Sequence, residues 1–170
     1  LNCAAIPETL LESELFGYKK GAFTGALKDK DGVFKAAHTG TLFLDEIGNT
    51  SPAIQMKLLR VRDDQVIMPV GSTQTVKVDV RLVAATNANL EEEVRAKRFR
   101  EDLFYRLNVF TVQIPPLRER RNDIVLLVDH FVNMYCRKMG IQPKKVSPEA
   151  LEILLVHPWP GNVRELENTI

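Results

Sequence analysis

Apolar residues recur along the chain in two alternating rhythms, one helical and one extended. Leu10, Leu11 and Leu15 follow Pro7, a residue suited to a first helical turn, and Gly17 marks the stop. Residues 17 to 32 then lose any period and are rich in Gly, Lys and Asp, which predicts a long exposed loop. A short helix near Val33 to His38 leads through Thr39-Gly40 into Thr41-Leu42-Phe43-Leu44-Asp45-Glu46. That apolar run closed by two acids predicts a strand buried on both faces of a parallel sheet. Ser51 and Pro52 start a helix whose Ile54, Leu58 and Val61 recur at i, i+4 and i+7. Val66 to Val70 and Thr75 to Val78, joined through Gly71 and Ser72, predict a hairpin, and Val80 to Thr86 a further apolar strand ending at Asn87.

Asn89 with Glu92 caps the next helix, a second helical stretch covers Phe99 to Leu107, and Val109 to Ile114 reads as a strand stopped by Pro115-Pro116. Beyond it the period is helical throughout. Ile124, Leu127, Val128, Phe131 and Tyr135 form a stripe closed by Gly140, and Ser147-Pro148 opens a helix bearing Leu151, Leu154 and Leu155. Asn162 and Glu165 have capping-box spacing for a last helix. The fold class expected is therefore α/β, a parallel sheet flanked by helices, followed by a small helical subdomain. The division falls at residues 1–117 and 118–170. Leu1 to Ala5 reads as the tail of a buried strand and the last helix stops at about two turns, so the chain is expected to be a piece of a larger protein.

Composition narrows the function classes more than the fold. With 170 residues, 45% apolar and 26% charged, the chain is neither disordered nor fibrous. The 23 Lys/Arg and 22 Asp/Glu leave a net charge of +1, which argues against a dedicated polyanion-binding domain. Cys3 and Cys136 match no metal or redox spacing and are expected to be free thiols. His38, His130 and His157 share no ligand spacing either. No apolar run is long enough to span a bilayer and no targeting segment opens the chain, so a cytoplasmic location is expected.

Chemistry concentrates where strands end. Ligands of open α/β sheets sit outside the carboxyl ends of the strands, and both Asp45-Glu46 and Asn87 fall there. Of two such acids, the first can hold Mg²⁺ and the second can polarise a water for attack on a γ-phosphate, with Asn87 orienting that water. The same pair, taken alone, is also compatible with two solvated acids at a strand terminus. Arg98, Arg100 and Arg106 form a basic cluster that reads either as a solvated face paired with Glu101 and Asp102 or as a phosphate-binding set. Gly21-Ala22-Phe23-Thr24-Gly25-Ala26 places an aromatic ring in the long loop, where it either folds back onto its own domain or meets a partner.

Glu12-Ser13-Glu14-Leu15-Phe16-Gly17 followed by Gly21-Ala22-Phe23-Thr24-Gly25-Ala26 resembles the signature of the bacterial sigma-54-dependent transcription activators, whose central domain is an AAA+ ATPase. The resemblance continues through Gly40 to Gly48, Ala84-Ala85-Thr86-Asn87, Phe99 to Leu103, Tyr105 to Asn108, Pro115 to Arg120 and Trp159 to Leu166. It covers essentially the whole chain in the family's order. It implies an AAA+ P-loop-type parallel sheet with a partial helical lid. By the same resemblance Asp45 matches the Walker B aspartate for Mg²⁺, Glu46 the residue acting on the attacking water, and Asn2 the asparagine that holds that glutamate. Asn87 matches sensor I, Arg100 and Arg106 the arginine fingers that act on ATP of the neighbouring subunit, and Arg164 the sensor II arginine.

Gly21, Ala22, Phe23, Thr24, Gly25 and Ala26 match the loop that engages sigma-54, with Phe23 and Thr24 at its tip. The partners implied are sigma-54 in its RNA polymerase holoenzyme and further copies of the chain in a ring, usually a hexamer. Enhancer DNA is implied only through a domain outside these residues. Loop exposure driven by ATP would remodel the closed promoter complex. One departure bears on activity: no stretch reads G-x-x-x-x-G-K-[ST], so the Walker A strand and loop are expected upstream of Leu1. A polypeptide of these residues alone is therefore expected not to hydrolyse ATP appreciably. The alternative is a non-catalytic module that only presents the Phe23 loop to sigma-54.

Overall fold

Pro7 precedes helix α1 (Glu8–Phe16), which buries Leu11, Leu15 and Phe16 and ends at Gly17. Two short strands follow, β1 (Gly17–Tyr18) and β2 (Lys30–Asp31), paired antiparallel with Gly17 opposite Asp31 and Tyr18 opposite Lys30. The expected featureless loop is therefore a stem with a loop on top, too short for any sequence period to reveal. Helix α2 (Val33–Ala36) comes next and stacks Phe34 on Phe16 with ring centroids 5.5 Å apart. In the computed structural model, which describes residues 1–170, these elements belong to a unit spanning Leu1–Thr111.

The base of that stem depends on two glycines. A Cβ on Gly32 would lie 2.3 Å from the Gly17 nitrogen and 2.4 Å from the Leu15 carbonyl oxygen. Gly17 itself sits at φ +78°, and its Cβ would lie 2.5 Å from the Lys30 oxygen. All of these neighbours are backbone, which cannot rotate away. Gly32→Ala is therefore expected to destabilise the protein by about 1–3 kcal/mol and to open the 18–31 loop to limited proteolysis. Chemical denaturation together with mapping of the first protease cut checks both effects.

Strand β3 (Thr41–Leu44) leads through a 3₁₀ turn at Ile47–Asn49 into α3 (Pro52–Asp64). The hairpin strands β4 (Val66–Ile67) and β5 (Val76–Lys77) precede β6 (Arg81–Ala84), which pairs parallel with β3 from Thr41↔Arg81 to Leu44↔Ala84. Residues Leu1–Cys3 run beside the other edge of β3. Asp45 N–H donates to Leu1 O at 2.8 Å and Cys3 N–H to Asp45 O at 2.9 Å. The core of this unit gathers Leu11, Leu15, Phe16, Phe34, Leu42, Leu44, Ile54, Leu58 and Leu103.

Burial on both faces of β3 does not hold. Leu42 and Leu44 are in the core, whereas Phe43 and its register partner Val83 lie on the other face, 48% and 38% exposed. A continuous apolar run specifies a strand, but its packing depends on which elements reach each face. The unit closes with α4 (Leu90–Arg95), capped by Asn89 Oδ1 accepting from the Glu91 and Glu92 amides, and with α5 (Glu101–Leu107). The strand expected at Val109 to Ile114 does not form. These residues make no ladder, and Val109, Phe110, Val112 and Ile114 are exposed. β-propensity supplies an extended preference but not the neighbouring strand that would satisfy its N–H and C=O groups.

The second unit, Val112–Ile170, is helical. A 3₁₀ turn at Leu117–Glu119 precedes α6 (Arg121–Met139), closed by Gly140 at φ +67°; α7 (Pro148–Val156) and α8 (Asn162–Thr169) follow. Leu117, Ile124, Val128, Phe131, Trp159 and Leu166 form its core. The capping expectation at the last helix holds only for the glutamate. Glu165 accepts from the Gly161 amide at 2.8 Å, whereas Asn162 turns its Oδ1 to the Leu117 amide at 2.8 Å. Asn162 thus ties the start of α8 to the turn before α6. Cys3 and Cys136 are both free and buried, and no helix is long and apolar enough to cross a membrane.

Candidate functional site

The parallel pairing of β3 with β6 sets their carboxyl ends side by side, and four of the sequence-derived residues meet there. Asp45 follows β3 directly. Its Oδ1 accepts from the Glu46 amide at 3.0 Å and its Oδ2 from Asn2 Nδ2 at 3.1 Å. Glu46 adopts a left-handed backbone, φ +55° and ψ +44°, a conformation that costs a non-glycine residue energy and clusters at functional sites. That turn redirects the Glu46 carboxylate toward the end of β6, where Oε2 accepts from the Asn87 amide at 3.4 Å. The Ile47 amide donates to Ala85 O at 3.0 Å and locks the turn onto the neighbouring strand.

Asn2 stands one residue away from the pairing expected of it. Its amide nitrogen holds Asp45, not Glu46, while its Oδ1 accepts from the Ala4 and Ala5 amides at 2.8 and 3.1 Å. The cause is register: the bridge between Asn2 and Asp45 puts these two residues directly opposite each other. Beside it, burial raises the Cys3 thiol above its ordinary pKa, which keeps it protonated and inert at neutral pH.

Arg100 and Arg106 make no hydrogen bond to these acids. Arg100 grips Asp102 through Nε and Nη2 at 2.9 and 2.6 Å, and Arg106 Nε lies 3.0 Å from Asp63 Oδ1. The Arg100 hydrogen bond holds the Asp102 carboxyl below the usual carboxylate range. Arg98 is bound bidentately by Glu93 at 2.6 and 2.7 Å. Both expected fingers are thus exposed but charge-compensated within their own unit. Asp102 was expected as a partner of this cluster; Asp63, distant in sequence, was not, because acids near arginines are too common to signal a specific pair. Arg164 lies exposed on α8 in the second unit.

The Gly21–Ala26 loop is ordered by its own backbone. The Gly21 amide donates to Ala26 O at 2.9 Å and the Ala26 amide to Phe23 O at 3.0 Å, with Gly21 at φ +83° and Gly25 at φ +99°. Ala26 is buried, anchoring the return, while Phe23 is 42% exposed and leans edge-on against Tyr18 with centroids 4.9 Å apart. The fold-back expectation for the ring holds in part: it touches its own domain and still presents a large apolar edge. Lys19 and the Lys20 amide converge on Asp29 at 2.6 and 2.8 Å and fasten the stem.

His38 and His157 accept backbone amides from Asp79 and Trp159 through Nδ1, as structural residues do. No group of three His, Cys, Asp or Glu side chains is arranged to hold a metal. A divalent ion here would have one protein carboxylate, Asp45, and would complete its shell with phosphate oxygens and water. That donor set suits Mg²⁺, which binds through one or two carboxylates plus substrate phosphates.

An α/β layer with two acids and an asparagine at the carboxyl ends of adjacent parallel strands, joined to a helical unit, is the architecture of AAA+ proteins. The structure of NtrX from Brucella abortus in complex with ADP superposes with a TM-score of 0.91 at 43% identity, covering 99% of this chain and 36% of that one. The chain belongs to the sigma-54 interaction domain family: that family's model matches residues 1–113, and the AAA+ ATPase lid domain model matches residues 118–170. Among curated relatives, the transcriptional regulatory protein ZraR of Salmonella typhimurium is 55% identical over the whole chain, which covers 38% of that protein. The Nif-specific regulatory protein of Azotobacter vinelandii is 58% identical over the whole chain, covering 32% of it. The chain thus spans about a third of the length of the curated relatives it matches.

Proposed function

We propose that these residues form the hydrolytic and partner-engaging part of a cytoplasmic sigma-54-dependent transcription activator. The observation that carries this reading is the Asp45–Glu46 turn, which places two carboxylates with separate surroundings at the end of β3, Glu46 reaching the Asn87 amide beyond the end of β6. ATP with Mg²⁺ supplies the phosphoanhydride whose hydrolysis drives the cycle. Asp45 would hold the ion, and Glu46 would orient and deprotonate the attacking water, with Asn87 beside it. Asn2, which donates to Asp45 in this structure, would hold Glu46 until the nucleotide state releases it.

Arg100 and Arg106 would act on ATP of the next protomer in a ring, and Arg164 on ATP of its own. No G-x-x-x-x-G-K-[ST] motif occurs in residues 1–170, so a polypeptide confined to them is expected to lack appreciable turnover. No residue here is assigned to DNA, in keeping with a net charge of +1. The Gly21–Ala26 loop would contact sigma-54 within the polymerase holoenzyme through Phe23 and Thr24. Its half-exposed ring has the profile of an interface anchor, an aromatic held in place before binding.

Phe23→Ala in the full-length protein tests this reading. Affinity for sigma-54, measured in the presence of a non-hydrolysable ATP analogue, is expected to fall by about thirtyfold or more, or roughly 2 kcal/mol. ATP turnover is expected to stay within about twofold, because the ring touches none of the acids. Unchanged sigma-54 affinity would remove the loop from the interface.

A further inference from the structure

Gln55 is fully buried, and every polar group of its side chain is engaged. Nε2 donates to Thr50 O at 2.7 Å and to Arg98 O at 3.1 Å, and Oε1 accepts from the Arg100 amide at 2.8 Å. A buried amide is tolerated only when satisfied in this way. Its partners are not scattered. They are the end of the turn that follows Glu46 and the two residues on either side of Phe99.

Each end of this bridge is itself fixed. Thr50 is buried, and both its hydroxyl, at 2.7 Å, and its amide, at 3.2 Å, donate to Ile47 O. Ile47 directly follows Glu46, and its amide is bound to Ala85 O. At the other end, one carboxamide takes the carbonyl of residue 98 and the amide of residue 100. The backbone of that tripeptide is thereby pinned from α3. Phe99 is directed into the core, 3% exposed, and Arg100, the residue before α5, is left outside. The path from the hydrolytic turn to Arg100 therefore runs Glu46, Ile47, Thr50, Gln55, Arg100, with no side-chain link longer than 3.1 Å.

We propose that Gln55 is the positioning residue for Arg100, setting the arginine that a protomer offers to its neighbour from the hydrolytic turn of that same protomer. This rests on the reading of Arg100 as an arginine finger. Through Gln55, a shift of the Glu46 turn moves the amide and carbonyl that fix the Arg100 backbone, so the state of one active site reaches the next through a single carboxamide. The sequence carries only a faint sign of it: a glutamine beside Ile54 and three residues before Leu58, flush with the apolar stripe of its helix.

The test uses the full-length protein assembled with ATP. Gln55→Met keeps the volume but removes the donors and the acceptor. It is expected to lower kcat for ATP hydrolysis tenfold or more while leaving KM within about twofold, since it touches no nucleotide. The double variant Gln55→Met/Arg100→Ala is expected to be no slower than Arg100→Ala alone, because both act through one guanidinium. A further loss in the double variant overturns the proposal and assigns Gln55 to general core stability. So does a near-normal kcat in Gln55→Met where Arg100→Ala is slow. Should Arg100→Ala itself turn over normally, it is the finger reading that fails. If Gln55→Met does not assemble, Gln55→Glu, which can still accept from the Arg100 amide, must retain more activity than Gln55→Ala; equal losses overturn the proposal.

Discussion

On the proposed role of Glu46, Glu46→Gln in the full-length protein is expected to lower ATP turnover by about 10²- to 10⁴-fold, the range in which a positioned general base contributes, and to leave nucleotide affinity nearly unchanged. The substitution keeps the size of the side chain and its ability to accept from the Asn87 amide, a bond of 3.4 Å in the structure. It removes the basic lone pair and the charge. The left-handed backbone at φ +55° is set by the turn, since the Ile47 amide is bound to Ala85 O, so glutamine inherits the same geometry. Asp45 retains both of its hydrogen bonds, so binding of the ion and phosphates is not expected to suffer. Single-turnover hydrolysis beside equilibrium binding of a fluorescent ATP analogue separates the two effects. Turnover within tenfold of the unsubstituted protein would take Glu46 out of the chemistry.

The second large effect falls in the helical unit. Trp159→Ala is expected to cost about 3–5 kcal/mol, the usual range for emptying a buried aromatic site. Trp159 is 2% exposed among Leu117, Ile124, Val128, Phe131 and Leu166, so removing its ring leaves a cavity in the centre of that core. Its Nε1 donates to Leu154 O at 2.7 Å and its amide to His157 Nδ1 at 3.1 Å, with the two rings 4.6 Å apart. A unit of about 60 residues buries too little surface to absorb such a loss. Amides of α6 and α7 should therefore lose most of their protection in hydrogen exchange. Trp159→Phe keeps most of the packing and should cost about 1 kcal/mol more than repacking alone, for the lost indole hydrogen bond. Retained protection in Trp159→Ala would show that the unit is held by something other than this ring.

How much of this was legible beforehand depended on the range of the interaction. Strands β3 and β6, the β4–β5 hairpin and the α6 stripe follow from local periodicity, and each appears where the pattern puts it. The α/β class and the helical second part came with them. Asp45, Glu46 and Asn87 stood out because polar residues interrupt apolar runs at strand ends, a local signal for a site that the sheet then assembles. What depended on a distant partner was hidden. Val109 to Ile114 has a strand's composition and no strand beside it. Phe43 has a core residue's chemistry and an exposed face. Asn162 has a cap's position, yet spends its oxygen on Leu117. The target of Asn2 was fixed by cross-strand register, and the Arg106 pairing with Asp63 by side-chain reach, neither of which is written in spacing along the chain; Asp102, two residues after Arg100, was.

The carboxylates of Asp102 and Asp63 give the two arginines a resting place. A guanidinium so sheathed reaches a phosphate by trading one anion for another, and the net gain is only the difference between them. If these arginines are the fingers proposed above, a lone protomer would keep them on its own aspartates. On the same finger reading, a neighbouring subunit would have to displace both aspartates to draw the arginines across, so close seating would come before hydrolysis.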